Sequence, residues 1–179
     1  MCKAFKGARG LRKKTRNILI SFSVITLIIF SILLISQNIT SDRDSKMKLE
    51  SIIGNSVFEV WNFYHDLGNL QDVDGKSIQE LNNRLYRVES YSKVIDSGVS
   101  TELLVPIANK INTQISAISS NYNKAGVISE ADQEIFNQLS QDAREISELI
   151  TEVYYQNNIH QEGKIKLNIT NYEELTKFK

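Results

Sequence analysis

The side chains best suited to chemistry in this 179-residue chain are few and mostly isolated. His65 and His160 are its two imidazoles, and the pair His65-Asp66 could supply a general base with an orienting acid. No G-x-S-x-G or H-E-x-x-H pattern accompanies them, and the single cysteine, Cys2, sits at the far N-terminus. Each histidine falls near the end of an expected helix, where the dipole favours a cation, so capping is the simpler role. The run Asp72-Val-Asp74-Gly75 followed by Glu80 matches part of a calcium-binding loop. With Gly75 at the loop's sixth position, however, the first and twelfth positions fall on Leu70 and Leu81, so two required carboxylates are missing. An Asx-rich turn leading into a helix cap at Ser77 explains the same residues. There is also no glycine-rich phosphate loop and no cluster of metal ligands, so the expectation is no enzyme, no cofactor and no metal site.

The strongest signal is physical rather than chemical. Residues 1–17 carry Lys3, Lys6, Arg9, Arg12, Lys13, Lys14 and Arg16 with no acid, a charge of +7, and residues 18–40 carry none. The rest of the chain therefore holds 14 bases against all 21 acids, a charge of −7 that the formal total of zero conceals. Residues 18–35 form an apolar run without charge, proline or glycine, about 27 Å long as a helix and close to the hydrocarbon thickness of a bilayer. A cleaved signal peptide has a shorter apolar core and small residues at its cut site, whereas Ser36, Gln37 and Asn38 follow here after Leu34. A retained signal anchor is the better reading. The positive-inside rule then places the N-terminus in the cytoplasm and the C-terminal domain outside, in a single-pass topology. Cys2 precedes the span, so neither a lipoprotein anchor nor a disulfide within the outer domain is available. The basic tail lacks aromatic interleaving, which argues against nucleic acid as a partner and for anionic lipid, with Arg12, Lys13, Lys14 and Arg16 as membrane-surface contacts.

Those chemistry-poor residues must be positioned by helices. Beyond residue 41, apolar side chains recur at alternating steps of three and four, the signature of an amphipathic helix. Four such stripes follow: Leu49 to Leu67; Ile78 to Ile95, with Ser92 where the stripe falters; Leu104 to Tyr122; and Ile135 to Val153. Ser77-Ile-Gln-Glu80 and Ser129-Glu-Ala-Asp132 have the form of capping boxes, and Gly68 to Gly75, Ser97-Gly98 and Gly126 mark breaks. The single proline, Pro106, fits the first turn of the third helix. Helices are expected near 41–67, 77–96, 102–124 and 129–157, closing as an antiparallel up-down-up-down bundle. The chain thus divides into a cytoplasmic tail 1–17, an anchor 18–40, an all-α extracytoplasmic four-helix bundle 41–157 and a short irregular C-terminal tail 158–179.

Candidate contacts follow from that layout. Phe58, Trp61, Phe63 and Tyr64 are spread over too many positions to share one seam, so at least one points outward, with Phe63 the candidate partner contact. Tyr154 and Tyr155 end the fourth helix, at the bilayer end of such a bundle, and are candidate membrane-surface contacts. Lys164 to Thr170 alternates like a strand, so Ile165, Leu167 and Ile169 either lie on the bundle or add as an edge strand to a partner. The Asn38 and Asn168 sequons are assigned no role.

This organisation resembles the front half of bacterial chemoreceptors and related sensors, in which a second span and a signalling domain follow the bundle. Here 22 residues follow the fourth helix without a second apolar run, so output by that route is not expected. The leading expectation is a membrane-anchored interaction module that binds another envelope protein or a second copy of itself. A ligand-binding sensor or accessory subunit without an output domain is the alternative, and an envelope hydrolase is the third.

Overall fold

In the computed structural model, residues 43–70, 73–160 and 164–179 are described, and helix accounts for most of them. The chain separates into two compact units, Met1–Met47 and Lys48–Lys179. The basic tail, the apolar run 18–35 and Asp72 lie outside the described residues, so the anchor and its four candidate cations do too. Among the described residues no helix is long and apolar enough to cross a membrane.

The described residues are all-α, with four long helices and no strand: α1 (43–69), α2 (Gly75–Val99), α3 (Leu104–Ala125) and α4 (Glu130–Tyr154). Sequential neighbours run antiparallel. Gly98 near the end of α2 meets Ile53 near the start of α1, while Arg84 pairs with Asp66 further along. Gly75 lies under the Tyr122 ring at the opposite end of α3, and Asn121 donates to Asp132 across the next turn. α1 and α4 close the bundle at Gly68, where an added Cβ would stand 2.9 Å from the Arg144 Cα. Ser140 Oγ and Arg144 Nη2 donate to the Gly68 carbonyl there, satisfying an acceptor at the end of α1.

The core stripes match the expected ones with two local corrections. Leu49 and Ile135 are each 42% exposed, whereas Phe136 is fully buried. On α4 the unbroken alternation of steps is 136, 139, 143, 146, 150 and 153. Starting from Ile135 places two steps of four in succession and drifts off the core face. The same drift leaves Leu49 outside the α1 stripe that begins at Ile53. Ser92 is fully buried at the position where the α2 stripe falters.

Helix ends show where local signals prevail and where they do not. Ser129 caps α4 as expected, accepting from Asp132 N at 3.1 Å, while its hydroxyl donates to the Asp132 carboxylate at 2.6 Å. Ser77 is not a cap: α2 starts earlier, at Gly75, because Asp74 accepts from Ser77 N at 2.7 Å. Gly98 does not stop α2 either. It gives Ile53 room to approach, and the left-handed turn residue is Ser100, with φ of 57°. Pro106 sits in the first turn of α3 as expected. The cap of that helix comes from the buried carboxylate of Asp96 on α2, which accepts from Leu103 N at 3.1 Å, Leu104 N at 3.1 Å and Val105 N at 2.9 Å.

The C-terminal segment is part of the bundle. Ile165, Leu175 and Phe178 are buried with the core, Leu167 and Ile169 pack against it, and Lys177 bridges to Glu145 of α4. A short helix, α5 (Glu173–Thr176), seats Leu175.

Candidate binding groove

Besides its core stripe, α1 carries a second stripe at the same helical spacing: Ser51, Gly54, Phe58, Trp61 and His65. Of these residues Trp61 packs partly against the core, and Phe58 is exposed. The stripe borders the α1–α4 seam, and two grooves open along it. The larger, about 510 Å³, is lined by Glu50, Ser51, Gly54, Asn55 and Phe58 of α1 together with Tyr155 and His160. The second, about 310 Å³, runs on past Trp61 and His65 to Arg144, Ser147, Glu148 and Thr151 of α4, and shares His160 with the first.

His160 reaches this seam because the chain reverses immediately after α4. Asn157 and Asn158 both have φ of 56°, a left-handed conformation that asparagine tolerates better than most side chains. The returning strand-like segment is pinned by Lys166 N to the Tyr154 carbonyl at 2.7 Å and by Gln156 N to the Lys164 carbonyl at 2.8 Å, around a single antiparallel bridge between Tyr155 and Ile165. The result is an aromatic array. The Trp61 ring stacks with His160 at 4.0 Å between centroids, with His65 at 4.9 Å and with Phe58 at 6.0 Å. Tyr155 meets His160 edge to face at 6.2 Å.

The sequence-derived candidates fall differently from expectation. Phe63 is not the outward aromatic: it is 1% exposed, packed edge to face on Tyr64 and covered by the Arg84 guanidinium at 5.4 Å. The exposed one is Phe58, at 45%. Phe63 lies toward the α2 side of α1, where the salt-bridged Arg84 seals it, whereas Phe58 lies on the second stripe. Tyr154 and Tyr155 are buried in the bundle, so neither presents a ring to a membrane surface. Burial pushes the Tyr155 phenol up to about 12. Burial also raises Tyr154, helped by the nearby Asp96 charge, and burial alone raises Tyr64. The hydroxyls of all three, and of Ser92, have no hydrogen-bond partner among the described residues. Ile165 pairs with its own chain rather than presenting an edge, and Leu167 and Ile169 are half-buried against the core.

His65 and Asp66 diverge. The imidazole stacks on Trp61 and meets Asn69 Nδ2 at 3.1 Å, whereas Asp66 accepts from Arg84 at 2.8 Å. Asp74 is engaged as a cap, its carboxyl held below the usual range by the Ser77 hydroxyl and amide. Among the described residues no three His, Cys, Asp or Glu side chains gather where they could hold a metal ion.

The groove is not legible in the sequence alone because its two walls are about a hundred residues apart. The usable signal was the second 3-4 stripe on α1, with the chain's only tryptophan inside it. Comparison with family models, curated proteins and solved structures finds no match for this chain.

Proposed function

We propose that this protein is a membrane-anchored helical binding module. In this reading residues 18–35 hold it in a bilayer with the N-terminus cytoplasmic, and the bundle presents α1 to an envelope protein partner. The observation that carries it is on the second stripe of α1: Phe58 is 45% exposed beside the small residues Ser51 and Gly54, on a helix whose own core stripe is complete. A large aromatic that the core does not need, next to a notch, is the usual makeup of a contact anchor.

The test is site-specific photocross-linking of the full-length chain in its native membrane, with benzoylphenylalanine at position 58 and, as control, at the exposed Lys110 of α3. The expected result is one discrete adduct from position 58, formed again when the captured protein is purified and mixed with the chain. Adducts that are equal from both positions, or none from position 58, refute the reading.

A second reading, a ligand-binding sensor or accessory subunit, is favoured by the 510 Å³ groove beside the same surface, which falls in the size range of small-molecule sites.

A further inference from the structure

The larger groove has a chemical bias. Of the described side chains that line it, Glu50 alone is an acid, and no Lys or Arg joins it. Glu50, Gly54 and Phe58 follow one another at one-turn intervals on α1, so the carboxylate and the ring originate about 12 Å apart along the axis with no side chain between them. His160 and Tyr155 close the opposite wall, and the stack from Phe58 through Trp61 to His160 extends the aromatic surface without a gap.

We propose that this groove binds a small organic monocation, a primary or quaternary ammonium, seated over Gly54 between the Glu50 carboxylate and the Phe58 ring. Anions are disfavoured twice, by the carboxylate and by the negative ring faces, while a cation gains from both. A divalent metal finds a single carboxylate there, too few hard ligands to displace its water. A neutral ligand gains only buried area. The inference rests on the ligand-binding reading and names the ligand class for it. The same ammonium chemistry is supplied by a soluble amine or by a lipid headgroup.

Trp61, the only tryptophan of the chain, reports on the site through its contact with Phe58 and His160. The experiment titrates choline, and separately its neutral isostere 3,3-dimethylbutan-1-ol, into the full-length protein at pH 8. The protein is held in nanodiscs of phosphatidylglycerol, which carry no ammonium group. The expected result is a saturable change in Trp61 emission, with choline preferred at least about fivefold. Glu50→Gln and Phe58→Ala each weaken choline binding by at least about threefold, with unchanged thermal melts because both side chains lie outside the core. Repeating the titration with phosphatidylethanolamine added to the discs separates the sources. Competition assigns the ammonium to a headgroup, its absence to a soluble amine, and either supports the cation. Equal binding of the neutral isostere overturns the cation and leaves ligand binding standing. No response to either probe overturns both. Choline binding unchanged in both variants overturns the site.

Discussion

Removing the Asp96 carboxylate is expected to unfasten the start of α3, and the structure allows the cost to be worked out. A helix leaves its first four amides without intrahelical partners. In α3 these belong to Leu103, Leu104, Val105 and Pro106. Asp96 accepts from the first three, and the fourth has no N–H to satisfy. Oδ1 takes Leu104 N and the Thr101 hydroxyl, and Oδ2 takes Leu103 N and Val105 N. Leu103 and Leu104 are buried, so Asp96→Ala strands two donors that water cannot reach, at about 1–3 kcal/mol each. Val105 and Thr101 are half-buried and recover part of their loss from solvent. The expected total is about 3–5 kcal/mol, a large fraction of the roughly 5–15 kcal/mol that holds a domain together. It corresponds to a fall in Tm on the order of 15 °C. Asp96→Asn can keep its oxygen on Leu103 N and Val105 N and turn its NH2 toward the Thr101 hydroxyl, which can accept, so it strands only Leu104 N and should cost less than Asp96→Ala, about 1–3 kcal/mol. Denaturant unfolding followed by circular dichroism gives the energies, and hydrogen exchange localises them to the amides of residues 103–105. A loss under about 1 kcal/mol for Asp96→Ala, or unchanged protection at those amides, refutes the capping account.

Three further outcomes are expected. Phe136→Ala should cost about 3–5 kcal/mol in chemical denaturation, while Ile135→Ala beside it costs under about 1, because only the first opens a cavity. Gly68→Ala should destabilise by about 1–3 kcal/mol in the same assay, since a methyl group there meets the Arg144 backbone at 2.9 Å and the helix backbones must shift apart to admit it. Stability should fall at both ends of the pH range. The Ser129 hydroxyl and Asn121 hold Asp132 below the ordinary carboxylate range, and Ser77 does the same for Asp74. That contribution is present above about pH 4 and is lost as pH falls through the depressed values. Tyr64, Tyr154 and Tyr155 are raised, so the unfolded chain releases their protons first, and stability declines as pH rises beyond about 10. Urea midpoints from pH 2 to 11 would check both limbs, with tyrosinate absorbance of the buried three appearing only on unfolding.

The amino-acid sequence alone determined the four long helices, most of their buried faces, the Ser129 cap and the first-turn place of Pro106. Each of these is a local property, expressed in steps of three and four or in hydrogen bonds spanning a single turn. Tertiary structure decided the rest. Phe58 and Phe63 are equally apolar, but the packing of α2 against α1, with Arg84 over the ring, covers Phe63 and leaves Phe58 in solvent. Gly98 has the form of a stop signal, but its missing side chain is used by Ile53, 45 residues earlier. Asp96 has no local role as a cap, because the amides it serves belong to the next helix. The tail residues Ile165, Leu175 and Phe178 become core because the segment after α4 pairs back on Tyr154 to Gln156 and lies on the bundle. That same reversal sets His160 on Trp61 and so creates the groove. Periodicity encodes which face of a helix is apolar, whereas which faces meet depends on the packing of all four helices at once, and the candidate site is made wholly of such meetings.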